Sequence, residues 1–251
     1  MALTAFASLA QQQLQYEVWR GQSRIVHLPP HIKKAGNMGR LTVSLDTLAF
    51  EETGEDGKKP KHPQVWHWAY QDIQQLKISP RSLTVLTYKD NKWKLGADRQ
   101  YEFDLVQDKT FVGAYELLKN RLDQRFVAEI SDKVSQPLWE IPAKHLLRFG
   151  GDEGVLQVGA HAIVYKSEKE GESRTWRYED IDNISSSGPF QLTVTTFERA
   201  KTDYGDRKGF QFELKQRLDD GRYNDLWLQL NESKGLKILT SYRAGAAEPE
   251  K

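Results

Sequence analysis

Four blocks of residues occur twice in this chain of 251 residues, in the same order both times. Val26-His27-Leu28-Pro29-Pro30-His31-Ile32 answers to Trp139-Glu140-Ile141-Pro142-Ala143-Lys144-His145-Leu146, with one residue inserted. Gly39-Arg40-Leu41-Thr42-Val43, followed by Thr47-Leu48-Ala49-Phe50, answers to Gly154-Val155-Leu156-Gln157-Val158, followed by Ala162-Ile163-Val164-Tyr165. Trp68-Ala69-Tyr70-Gln71-Asp72-Ile73-Gln74-Gln75-Leu76 answers to Trp176-Arg177-Tyr178-Glu179-Asp180-Ile181-Asp182-Asn183-Ile184. Leu83-Thr84-Val85-Leu86-Thr87-Tyr88 answers to Leu192-Thr193-Val194-Thr195-Thr196-Phe197. One block could arise by chance; four in order make duplication the best account. The offset falls from 115 at Gly39/Gly154 to 108 at Trp68/Trp176, so the first copy holds about seven extra residues. They fall in the Gly/Lys/Pro-rich stretch 51–64, a composition typical of a loop tip.

Within each copy the apolar residues recur mostly at every second position. Leu41, Val43 and Leu45 alternate with polar neighbours, the pattern of a half-buried strand. The aromatic run 65–70 suits strand packing, and Trp66 and Trp68 fall on one side of it. Stretches 82–88 and 101–105 continue the series, as do 156–158, 163–165, 175–178, 190–197, 210–214 and 226–230 in the second copy. Asp219-Asp220-Gly221-Arg222 reads as a hairpin turn before the last of these. Helical spacing closes each copy: Phe111, Tyr115, Leu118 and Leu122 in the first, and Leu236, Leu239 and Tyr242 within 233–243 in the second. The expected fold class is mainly β with α, as two β-rolls of about seven strands each, each capped by a C-terminal helix.

The motif string G-x-L-x-[VL], an apolar strand pair, W-x-Y-x-D-I, L-T-V, then F-x-[FL]-x-L and a helix resembles the pleckstrin-homology superfold. Within it, the string is most similar to GRAM-type and bacterial pleckstrin-homology-like domains, and it covers roughly 24–124 and 138–243. The resemblance implies a tandem of pleckstrin-homology-like domains. That superfold hosts lipid-binding, peptide-binding and architectural roles, so the fold does not supply the function. The implied organisation is an N-terminal segment 1–23, domain 1 at 24–124, a linker 125–137, domain 2 at 138–243 and a disordered tail 244–251. Phe126, Val127 and Ile130 make the linker apolar enough to pack into a fixed contact between the domains.

Composition removes several functional classes. Lys and Arg number 36 against 35 Asp and Glu, a net charge of +1, which argues against a nucleic-acid binder held by phosphate neutralisation. At 38% hydrophobic and 11% aromatic the chain can build a core. Without cysteine it can form neither a disulfide nor a thiolate metal site. No nucleophile elbow, phosphate-cradling glycine loop or H-E-x-x-H occurs, so no enzyme is expected and no cofactor.

Inositol-phosphate recognition in the family uses a basic cluster between the first two strands, where cations meet phosphate oxygens. Neither Ser44-Leu45-Asp46 nor Gly159-Ala160-His161 supplies one. Lys58, Lys59 and Lys61 in the inserted loop are the candidate anion contacts, set among Glu51, Glu52, Glu55 and Asp56. His27 and His31 stand four apart, but Pro29 and Pro30 oppose a helix that would aim both at one metal. The recurrence of His31 as His145 points to a ring packed under a strand. Asp72 and Asp180 read as turn caps that accept backbone N–H bonds, and Trp68 and Trp176 as core aromatics. A partly exposed indole at Trp66 or Trp68 would mark a ligand surface.

The function expected from the residues is a non-enzymatic interaction or scaffold module. It would offer a sheet edge, or the groove beside a helix, to a protein or peptide partner. The alternative is a peripheral protein held on a membrane surface by lipid head groups. Ser8-Leu9-Ala10 resembles the small-x-small pattern ahead of a signal-peptidase cut. Location is therefore exported or periplasmic if Met1–Ala10 ends a truncated signal peptide, and cytoplasmic otherwise.

Overall fold

A computed structural model describes residues 13–21, 36–54, 60–90, 98–106, 109–134, 136–147, 150–169, 171–200 and 207–234. Among these residues the chain runs β1 (Leu14–Gly21), β2 (Gly36–Val43), β3 (Thr47–Glu52), β4 (Val65–Ala69), β5 (Ile73–Ile78), β6 (Ser82–Asp90), β7 (Asp98–Leu105) and α1 (Val112–Leu118). It continues through β8 (Phe126–Ala128), β9 (Trp139–Leu146), β10 (Gly151–Val158), β11 (Ala162–Ser167), β12 (Arg174–Arg177), β13 (Ile181–Ser185), β14 (Gln191–Arg199), β15 (Arg207–Leu214) and α2 (Asp220–Ser233). Single turns of 3-10 helix at Tyr70–Asp72 and Tyr178–Asp180 precede β5 and β13.

The expectation of two separate rolls of about seven strands is overturned. The strands form one 15-stranded sheet in the order β13-β14-β15-β9-β10-β11-β12-β8-β5-β6-β7-β1-β2-β3-β4. The physical reason lies in stretch 125–137, read from sequence as a linker. Its residues 126–128 are strand β8, which pairs with β12, so the stretch is part of a sheet and not a connection between rolls. What stands is the coarser statement, a mainly β chain with two described helices.

The chain divides into two compact units, Met1–Leu122 and Asp123–Lys251. The first contains the run β5-β6-β7-β1-β2-β3-β4, and the second the corresponding run β13-β14-β15-β9-β10-β11-β12 followed by β8. Registers repeat with the sequence: Leu41 faces Phe50 across β2 and β3, and Leu156 faces Tyr165 across β10 and β11. Both β5/β6 and β13/β14 shift register after their first residue, at Ile73/Gln75 and Ile181/Asn183.

The repeated motif residues have repeated tasks. Gly39 and Gly154 lie where strands approach closely. A Cβ at Gly39 would strike the Phe50 ring and the Glu51 carbonyl oxygen, and one at Gly154 the Lys166 backbone. Trp68 and Trp176 are buried in their respective cores, with Ile73 and Ile181. The tyrosine of each W-x-Y-x-D-I ties the turn between the second and third strands of its copy. Tyr70 donates its hydroxyl to the Ser44 carbonyl at 2.8 Å, and Tyr178 to the Gly159 carbonyl at 2.6 Å. Burial pushes the Tyr178 phenol up to about 12, so it stays a donor at neutral pH. Asp180 accepts the Arg177 N–H at 3.2 Å and closes its 3-10 turn; Asp72 is exposed.

Two assignments differ from the sequence reading, and a third is not covered by the described residues. Val26–Ile32 lies outside the described residues, and the strand of the first unit that corresponds to β9 is β1. Each pairs the second strand of its unit on one side and the last on the other. The stretch 219–230 forms no hairpin and no strand. Asp219 caps α2 by accepting the Arg222 N–H at 2.9 Å, and Tyr223, Leu226, Trp227 and Leu230 make an apolar stripe at helical spacing. The expected helix 233–243 and the tail 244–251 fall almost wholly outside the described residues, which end at Lys234.

Candidate functional site

Strand β4 has one hydrogen-bonded neighbour among the described residues, β3. The Glu52 N–H donates to the Gln64 carbonyl at 2.9 Å just before β4 begins. Antiparallel bonds alternate, so Trp66 and Trp68, two and four residues on, turn their backbone groups toward β3. Val65, His67 and Ala69 turn theirs to the other side. Val65 is 56% exposed and His67 is exposed. An exposed apolar edge with open N–H and C=O groups is a template for another strand.

The side chains behind this edge form an aromatic cluster. Trp66 packs on Phe50 at 5.3 Å between ring centres, on Tyr101 at 5.0 Å and on Trp68 at 6.1 Å. Trp68 is buried, whereas Trp66 and Tyr101 are half-buried, so the indole is the partly exposed one that sequence reasoning asked for. Arg20 on β1 lies over Trp66, its guanidinium carbon 4.5 Å from the ring centre, and donates through Nη1 to Gln64 Oε1. Arg20 is 9% exposed and its Nε has no partner. Burial pulls its guanidinium below its ordinary value, and the Glu52 carboxylate opposes that shift.

In the second unit the corresponding edge is covered. Strand β12 corresponds to β4, with Arg174 in the place of Trp66 and Thr175 in that of His67. Thr175 is paired with Ala128 of β8. Its hydroxyl donates to the Ile130 carbonyl at 2.7 Å and accepts the Asp132 N–H at 2.7 Å. The Arg174 guanidinium meets the Glu129 carboxylate beside the same strand, with Glu198 at 3.8 Å. Arg174 and Lys208 both lie over Phe210, the counterpart of Tyr101, and Lys208 also pairs with Glu198 at 2.7 Å. His145 takes the place of Arg20. Its Nδ1 is 3.2 Å from Asp152 Oδ1 in a buried pair, and its ring packs on Tyr165 and Phe212.

Of the candidate anion contacts, Lys58 and Lys59 lie outside the described residues, and Lys61 is exposed ahead of β4. His27 and His31 also lie outside them, and His62 is exposed. No group of three or more metal-ligating side chains occurs among the described residues. No described helix is long and apolar enough to cross a membrane. Sequence reasoning missed Arg20, Tyr101 and Glu129. Arg20 stood in a segment assigned no fold, although Tyr16, Val18 and Arg20 keep the period of two that marks β1. Glu129 stood in the supposed linker.

No protein-family model matches the chain, and no curated protein matches it. Among solved structures, it is similar to the C-terminal domain of an unknown protein from Leishmania infantum, with a TM-score of 0.30 and 18% identity over 38% of this chain and 84% of that one. It is also similar to the Spt16D Pob3N heterodimer, with a TM-score of 0.28 and 10% identity over 73% of this chain and 82% of that one. Both superpositions fall below the level that speaks to fold or function.

Proposed function

We propose that the chain is a non-enzymatic interaction module that takes an extended segment of a partner protein along β4. The observation that carries this reading is the contrast between corresponding edges. β12 is paired with a strand of the chain's own, and β4 has no such second neighbour among the described residues. Main-chain bonds would give the affinity and the side chains flanking the edge the selectivity. The resemblance of the repeated motifs to a superfold with peptide-binding members is in keeping with it.

His67→Pro tests the proposal. Proline removes an outward N–H without touching the bonds to β3. A partner captured by the wild-type chain should be lost by the variant, and the Val65 and His67 amides should gain exchange protection in the complex. Retention by the variant, with those amides unprotected, would refute the edge. Pelleting with anionic but not neutral vesicles, unaffected by His67→Pro, would favour the membrane alternative instead.

A further inference from the structure

We infer that the segment received by β4 places an uncharged, apolar or aromatic side chain opposite Trp66. The inference rests on the reading of β4 as an acceptor edge and adds what that edge selects. The second unit supplies the template. Side chains directly opposite each other across paired strands share one face of the sheet. Ala128 stands opposite Thr175, so the residues on either side of it, Val127 and Glu129, flank Trp176 and Arg174. The Arg174–Glu129 ion pair fits that register.

Transferred to the first unit, the same register puts the residue equivalent to Glu129 beside Trp66 and the one equivalent to Val127 beside Trp68. Charge complementarity then decides the chemistry. Glu129 answers Arg174, and Trp66 has no charge to answer. The cation of the cluster, Arg20, lies against the Trp66 ring, is buried, and already has Gln64 and the nearby Glu52. A carboxylate at the Glu129 position would lose water and meet only a cation that is already buried, stacked on Trp66 and opposed by Glu52. An apolar side chain there would cover the exposed part of the Trp66 and Tyr101 rings.

Two synthetic peptides test this against the full chain: the sequence of residues 124–132 as it stands, and the same peptide with Glu129→Leu. The readout is chemical shift and exchange protection at the Val65, His67 and Ala69 amides, which separates β4 from β12. The leucine peptide should bind β4 at least about tenfold more tightly, since the other strands a desolvated carboxylate. Trp66→Arg should reverse the order, and Trp66→Leu, a milder change at the same site, should keep it. Equal binding of the two peptides, or preference for the glutamate peptide, overturns the inference and leaves the acceptor edge standing. No protection by either peptide overturns the edge itself. Protection before peptide is added overturns both: if it grows with protein concentration, a second copy occupies the edge, and if it does not, the chain covers β4 itself.

Discussion

The two units set the same strands in the same order and finish them differently. At the covered β12 edge the end of the core is ionic: Arg174, Glu129, Glu198 and Lys208 meet around Phe210, with His145 and Asp152 nearby. At the β4 edge the corresponding places hold Trp66 and Tyr101, both half-buried, and Arg20, which is stacked on Trp66. Residues whose task is geometric agree between the copies, namely the close-approach glycines, the turn-tying tyrosines and the buried tryptophans. Residues at the edge differ because their surroundings differ. A buried cation is tolerable only with an anion supplied nearby. The second unit supplies it from β8's own connection. The first has the uncharged Trp66 in the place of Arg174, and its own buried cation, Arg20, has Glu52 nearby and Gln64 as acceptor.

The largest expected effect breaks that arrangement at Glu129. Glu129→Ala leaves Arg174, 9% exposed along its side chain, with Glu198 at 3.8 Å and shared with Lys208. Removing one member of a buried ion pair typically costs about 3 kcal/mol. The urea midpoint of the second unit, followed through exchange of the Thr175 and Trp176 amides, should fall accordingly. The double change Glu129→Leu with Arg174→Trp, which copies the first unit, should recover most of the loss. An unchanged midpoint in Glu129→Ala would mean that the charges of the covered edge are answered elsewhere.

A smaller effect tests the part of the comparison in which the copies agree. Tyr178 is buried and its hydroxyl donates to the Gly159 carbonyl, with Gln229 Oε1 at 3.1 Å. Tyr178→Phe strands those acceptors at a cost of about 1 to 1.5 kcal/mol. Tyr70 makes the corresponding bond from a half-buried position, where water replaces part of what is lost. Tyr70→Phe should therefore cost less, about 0.5 kcal/mol. Equal losses in paired urea titrations would show that burial does not set the worth of this repeated bond.

The repeat was legible because duplication writes the same constraints twice. Gly39/Gly154, Trp68/Trp176 and Tyr70/Tyr178 stand out by self-comparison, and the two members of each pair have the same task. The edges were not legible, for the same reason in reverse. Self-comparison is blind to a strand with no counterpart, and β8 has only three residues, too few for a period-two signal to show. The first block matches through prolines and a histidine, whereas the strand that corresponds to β9 is the less similar Leu14–Gly21. At α2 the Asp-Asp-Gly sequence carried two meanings. It read as a hairpin turn, but Asp219 begins a helix, and the stripe of Tyr223, Leu226, Trp227 and Leu230 was the signal that could have decided between them.

The smallest expected effect concerns the position where Arg20 faces His145. Burial pulls the His145 imidazole below its ordinary value of 6.5, and Asp152 opposes that shift, as does Glu172, while Arg174 adds to it. The folded chain therefore takes up this proton at lower pH than the unfolded chain. The stability that His145 contributes is fully present above about 6.5 and is lost as the pH falls through the folded value. Arg20 titrates far from this window, so the corresponding place in the first unit adds no such slope. Exchange of the Phe210 and Phe212 amides should show the second unit loosening between pH 7 and 5, and His145→Gln should flatten part of that slope. An identical slope in the variant would remove His145 from the account, while a second unit that tightens as the pH falls would reverse the sign assigned here. That second outcome would mean that Asp152, not burial, governs the pair, and that the covered edge gains from the charge which the first unit carries permanently on Arg20.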